Sequence, residues 1–250
     1  MTPLEILAIV AAGLAAGTIN TIVGSGSLIT FPTLLALGYA PVVANVSNTV
    51  GLAPGSLSGA LGYRRELTGQ GGRALRLGSA GMLGGITGAV LLLVLPATSF
   101  EGIVPFLILG AVILVALQPR LSAAMARRRV GGHGHGLPLL VTVYLTGIYG
   151  GYFGAAQGVI LMALLGIFLP DDLQRLNGLK NVLALIVNGV AAVLFVLIAP
   201  VSWPAALLLA IGSIVGGQLG ALVGRRLPPT GLRLVIIVVG TLVGLKLLVG

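Results

Sequence analysis

Residues 84–98, GGITGAVLLLVLPAT, return as residues 216–230, GGQLGALVGRRLPPT, with seven of fifteen positions identical: Gly84/Gly216, Gly85/Gly217, Gly88/Gly220, Ala89/Ala221, Leu95/Leu227, Pro96/Pro228 and Thr98/Thr230. About two matches would arise by chance in a chain so rich in a few small and aliphatic residues, so the 132-residue offset marks an internal duplication. The mismatches constrain the fold further. Arg225 and Arg226 stand opposite Leu93 and Val94, Arg64 and Arg65 opposite Val196 and Leu197, and Arg233 opposite Glu101. Charge present at a segment end in one half and withheld from the other is expected when two halves cross a membrane in opposite directions.

Lipid is the required solvent. The chain is 57% hydrophobic and 8% charged with a mean hydropathy of +1.13, more than the core of a soluble 250-residue domain needs. Its apolar runs lack the period-2 alternation of a membrane barrel, so the spans are helical, and the 40 glycines suit close helix packing in a bilayer. The net charge of +9 does not indicate nucleic-acid binding, because the bases sit at the ends of apolar segments rather than along one solvated face. Residues 1–23 carry Glu5 and no basic leader, so the first apolar segment is expected to stay rather than be cleaved. With no cysteine there are no disulfides or thiolate sites.

Apolar runs occupy 4–23, 27–37, 42–63, 75–95 and 102–118, then 137–153, 158–169, 176–199, 203–224 and 231–249, five in each half. A crossing needs about 20 residues, so 27–37 and 158–169 are too short. Each follows a polar or glycine-rich break, residues 20–27 and 150–158, which predicts a helical hairpin entering and leaving on one side. Three crossings per half remain. With residues 64–76 cytoplasmic, thirteen of fourteen bases lie inside and only Lys246 outside; making each hairpin a single crossing would leave eight inside and six outside. The expected fold class is an all-α integral membrane protein of two inverted-topology repeats, residues 1–118 and 137–250, each a broken helical hairpin plus three transmembrane helices. Residues 119–136 read as a basic cytoplasmic linker, whose His133 and His135 lack the further ligands a metal site needs.

The five acids, Glu5, Glu66, Glu101, Asp171 and Asp172, all lie at segment ends or in loops. That argues against a cation carrier or proton relay, and leaves an intramembrane hydrolase without a base. Uncharged polar residues gather in two repeat-related places instead. One is the hairpin break, with Thr18, Asn20, Thr21, Ser25 and Ser27 in the first half and Tyr152 and Gln157 in the second. The other is the start of the next long helix, where Asn45, Asn48 and Thr49 align with Asn177, Lys180 and Asn181, and further along Ser56 aligns with Asn188. Such donors beside two helix breaks predict a binding site for a small anion, with Gly24, Gly26, Gly154 and Gly158 allowing the breaks. Lys180 has two readings: a positive-inside lysine that snorkels to the cytoplasmic surface, or a contact to the anionic substrate. Gly212, Gly216, Gly220 and Gly224 form a close-packing stripe, read as packing within the protomer, with a homodimer contact as the alternative.

The broken first segment GTINTIVGSGSLITFP, the following ANVSNTVGLAPGSLSGALGYRREL, and the counterparts LNGLKNVLALIVNGVAAVLF and GSIVGGQLGALVGRRLP resemble the TauE/SafE family of sulfite exporter-like membrane permeases over essentially the whole chain. The resemblance implies a multi-pass protein of the prokaryotic inner membrane that transports small sulfur-containing anions such as sulfite or organosulfonates, with a pocket between the two hairpins and no cofactor. The family's glycine-rich motifs fall on Gly24, Ser25, Gly26 and Ser27 and on Gly154, Ala155, Ala156, Gln157 and Gly158. A secondary transporter, in the direction of export and working by alternating access, is the function expected. A passive anion channel and a non-transporting membrane accessory protein are the alternatives.

Overall fold

The computed structural model describes residues 1–127, 136–224 and 230–249. Ten helices follow one another: α1 (Pro3–Ile22), α2 (Ser27–Ala36), α3 (Pro41–Gly62), α4 (Gly71–Val94), α5 (Ala97–Arg127), α6 (Gly136–Tyr152), α7 (Gln157–Phe168), α8 (Leu173–Ile198), α9 (Trp203–Val223) and α10 (Thr230–Val249). The described residues contain no strand, and apart from the longer α5 their helices coincide with the apolar runs to within a few residues. Local chemistry sets several boundaries. Thr2 and Glu5 close a capping box on α1, and Pro3 and Pro41 open α1 and α3, where the missing proline N–H would have no helical partner anyway. The Asp172 carboxylate caps α8 by accepting from the N–H groups of Gln174 and Arg175.

Among the described residues five helices, α1, α4, α5, α8 and α9, are long and apolar enough to cross a bilayer, and the chain is a multi-pass membrane protein. Large apolar side chains such as Leu75, Phe106, Leu197 and Leu222 stand exposed on the outer surface, where lipid replaces water. The first hairpin pairs the 20-residue α1 with the 10-residue α2. One detail departs from the sequence reading: α5 continues helically through Pro119 to Arg127, into the expected linker; residues 128–135 of that linker, with His133 and His135, and also Arg225 and Arg226, lie outside the described residues.

Helix directions follow from the register of contacts. Gly13 of α1 lies against Leu209 of α9, Gly17 against Ser213, and Gly220 and Gly224 of α9 against Thr18 and Ile22, so α1 and α9 run parallel. Gly51, Gly55 and Gly62 of α3 meet Leu209, Ser213 and Ala221, which adds α3 to that set. In the same way Gly84 and Gly88 of α4 meet Gly147 and Ile148 of α6, and Gly78 and Gly85 meet Ile186 and Val190 of α8, so α4, α6 and α8 run together. Between the sets, direction reverses. Gly178 near the start of α8 sits beside Tyr63 just past the end of α3, while Ser202 just past α8 donates its N–H to Ser47 Oγ near the start of α3, at 2.8 Å. Each principal pair has its counterpart in the other half: α1 on α9 matches α6 on α4, α3 on α9 matches α8 on α4, and α3 on α8 and α5 on α10 match themselves. The stripe of Gly212, Gly216, Gly220 and Gly224 packs on α1 within the protomer, backbone against backbone, a contact that a Cβ on Gly216 would block.

Candidate functional site

Both hairpins break in the same way. Gly24 and Gly154 have φ of +87° and +77°, and each donates its N–H to a carbonyl five residues back, Ile19 and Tyr149, at 3.0 Å. Glycine reaches that left-handed geometry without a Cβ penalty. The structural offset here is 130, since 154 − 24 = 130, as it is for α1 and α6 before the breaks, where Gly216 meets Leu14 and Gly84 meets Tyr144; for α3 and α8 it is 132, and the 12-residue α7 takes up the difference beside the 10-residue α2. Ser27 and Gln157 therefore open equivalent half-helices. The two tips touch: Gly158 donates its N–H to Gly24 O at 3.0 Å, and a Cβ on either glycine would overlap the other's backbone.

A polar cavity of about 20 Å³, room for roughly one water, lies where the tips meet α8 and α3. The sequence-assigned residues Asn20, Ser27, Gln157, Lys180 and Asn181 line it, together with Gly24, Gly154 and Gly158. Thr21, Ser56 and Asn188, which stand in the same polar clusters of the sequence, also line it. Ala184 completes the wall, signalled only by its helical spacing from Lys180, Asn181 and Asn188. A larger hollow of about 430 Å³ between α3 and α8 is walled by apolar groups such as Val50, Leu57, Leu185 and Val196 and offers no polar recognition.

The remaining assigned residues stand outside the lining. Asn48 donates to Ser27 Oγ at 3.3 Å and accepts from Thr30 Oγ1, so it orients a lining hydroxyl. Asn45 and Asn177, repeat partners, donate their amides to backbone carbonyls of the opposite half's hairpin, Tyr152 O at 2.9 Å and Thr21 O at 3.2 Å. Thr49 donates its hydroxyl back to Asn45 O in its own helix, Ser25 Oγ is buried without a hydrogen-bond partner, and Gly26 ties the tip to α1 by donating its N–H to Asn20 Oδ1 at 2.6 Å.

Lys180 overturns the snorkelling alternative. It is 1% exposed, and its Nζ donates to Asn20 O at 3.0 Å and Thr21 O at 3.1 Å. The last carbonyls of a helix have no internal donor and form its negative end, and α1 carries no basic residue in its last turn. Lys180, with Asn177 and Asn181 on the same Thr21 oxygen, supplies that cap from α8. None of the lining residues is acidic, and among the described residues no three His, Cys, Asp or Glu gather as a metal would need. The lining offers neutral amide and hydroxyl groups and a single ionisable side chain, Lys180.

At the end of α8 that carries Asp172, Asp171 joins the halves. It pairs with Arg73 of α4 and with Arg175 Nε at 3.2 Å, while Gln70 Nε2 donates to Arg175 O at 3.1 Å. Partial burial works to raise the Asp171 pKa, but hydrogen bonds and charge from Arg73 and then Arg175 outweigh it and hold the carboxyl below its ordinary 3.8.

A polar pocket among broken helices inside an apolar, many-helix bundle defines a membrane transporter rather than an enzyme. The chain belongs to the family described as Sulfite exporter TauE/SafE, whose model matches residues 9–247. It is 26% identical over 250 residues to the Escherichia coli K12 protein named "Probable membrane transporter protein YfcA", covering 99% of this chain and 91% of that one. A Haemophilus influenzae protein named "Probable membrane transporter protein" is 30% identical over 225 residues, covering 87% and 85%. A Sinorhizobium protein named "Probable membrane transporter protein ORF9" is 27% identical over 210 residues, covering 84% and 79%. No solved structure matches the chain.

Proposed function

We propose that the chain is a secondary carrier that exports small sulfur-containing anions such as sulfite or organosulfonates. The observation that carries this reading is the cavity itself: a buried lysine ammonium and neutral amide and hydroxyl donors, with no carboxylate, between two hairpin tips. Two inverted repeats, 1–118 and 137–250, joined by 119–136, form the scaffold. The reversed directions of α3 and α8, and the exchange of partners between halves, support it. Alternating access comes from one part of the bundle rocking against the other around the cavity, which here is contracted to about 20 Å³ and opens when cargo enters.

Counterflow in liposomes tests the reading. Purified protein should accumulate labelled sulfite against an internal sulfite load, which a passive channel does not do, and Lys180→Met should reduce the rate by about tenfold or more, the loss of one charge-assisted contact. No sulfite or sulfonate exchange would sink the carrier; normal exchange by Lys180→Met would remove the lysine from it.

A further inference from the structure

The charge count of the cavity narrows its cargo. Among the described residues that line it, Lys180 alone is charged; Ser27, Ser56, Gln157, Asn181 and Asn188 are neutral groups that orient an oxygen atom without balancing its charge. The two partners of the ammonium are backbone carbonyls of Asn20 and Thr21, whose dipoles compensate it in part. A buried cation in that position is completed by one negative charge. A second negative charge on the same ligand meets no second cation, and it faces the negative end of α1, because the two carbonyls converge on the ammonium that the ligand approaches.

Resting on the anion-carrier reading above, we propose that the site is matched in charge to a monoanion, a sulfonate R–SO3⁻ or singly protonated sulfite, and selects against dianions of the same tetrahedral shape. Binding replaces the carbonyl contacts of Lys180 Nζ with ligand oxygens, while Asn177 and Asn181 keep Thr21 O tied to α8. Gln157 is placed to add a neutral donor: it is 3% exposed, lines the cavity and has an Nε2 without a hydrogen-bond partner.

Methanesulfonate and sulfate separate the two charge classes, being a monoanion and a dianion at neutral pH with similar oxygen geometry. With the purified protein in liposomes, methanesulfonate counterflow is measured with unlabelled methanesulfonate, sulfite or sulfate as external competitor. Sulfate is expected to need about tenfold or more the concentration of methanesulfonate for equal inhibition, the Lys180→Arg variant to keep that ratio, and Lys180→Gln to bring both to one weak level. Sulfate inhibition equal to or stronger than methanesulfonate's overturns the charge match and leaves the carrier intact. No exchange of methanesulfonate, sulfite or sulfate overturns both. A Lys180→Gln protein that exchanges and keeps the tenfold ratio overturns the assignment to Lys180. Should neither variant fold, the competition on the unsubstituted protein decides.

Discussion

The two hairpin tips have the same backbone break but fill it differently. In the first, Asn20 reaches across from α1 to hold the Gly26 N–H at 2.6 Å. The equivalent residue of the second tip, 130 positions on, is Gly150, which has no side chain; the Gln157 amide folds back from α7 into that space, so closely that a Cβ on Gly150 would collide with it. One tip is tied by an amide from the helix before the break, the other is occupied by an amide from the helix after it. The anchors differ as well. Lys180, Asn177 and Asn181 converge on the carbonyl end of α1, whereas of the aligned Asn45, Asn48 and Thr49, Asn45 alone holds Tyr152 O, with Tyr149 donating its hydroxyl to Ala155 O nearby. Among the residues that line the cavity, the single basic side chain, Lys180, thus stands beside the first tip, and the second carries an unpaired neutral donor at Gln157.

Substitutions at the tips can break that distinction. The largest effect is expected where the tips meet: Gly24→Ala forces a side chain into φ +87° and into the Gly158 backbone, costing about 2–5 kcal/mol, read as a collapse of the melting temperature in detergent. Asn20→Ala strands the Gly26 N–H and should cost about 1–3 kcal/mol, while Gln157→Ala, which removes no hydrogen bond of Nε2, should leave stability nearly unchanged and weaken anion exchange. Equal losses of stability from both would erase the difference between the tips.

Smaller effects sharpen the comparison. Asp171 has a folded pKa below its ordinary 3.8, so its ion pairs contribute stability that is present above that pH and lost as pH falls through the lowered folded value. Asp171→Asn should therefore be less stable than the parent at neutral pH, by up to about 1 kcal/mol because these groups are partly exposed and screened, with the gap closing below pH 3.8. A gap that persisted in acid would place the effect outside the ion pairs. Last, Ala156 holds φ +58° where Gly26 of the first tip is right-handed; Ala156→Gly relieves that conformation and should stabilise by about 0.5 kcal/mol, the steric relief partly offset by a more flexible unfolded chain. A loss of stability there would mean that the buried methyl group packs more than it strains.

Much of this architecture is legible in the chain. The limits of α2, α3, α7 and α9 follow from where apolar runs meet Gly, Pro and charge, and the breaks at 23–26 and 153–156 from the polar or glycine-rich stretches 20–27 and 150–158 that contain them. Lys180 is the instructive exception. Seven residues into α8 from Leu173, with Arg175 one turn nearer the helix start, it looks like an ordinary lysine reaching for water, because sequence spacing measures depth along a helix but not the direction a side chain takes around it. The slip from 132 to 130 at the hairpins is hidden for a related reason: Ser25 aligns with Gln157 by sequence, and only the positive φ of Gly24 and Gly154 shows that Ser27 is its structural partner.

Hydropathy and repetition are properties of a line of residues. The sequence by itself therefore determined that this protein lives in lipid and where its helices begin and break. Which polar groups share a cavity depends on the azimuth of each helix and on the glycine contacts that bring α1, α3 and α9 together and set α8 against the end of α1. Only the packed structure decided that Asn20, Gln157, Lys180 and Asn188 face one another while Asn45, Asn48 and Asn177 hold the walls in place.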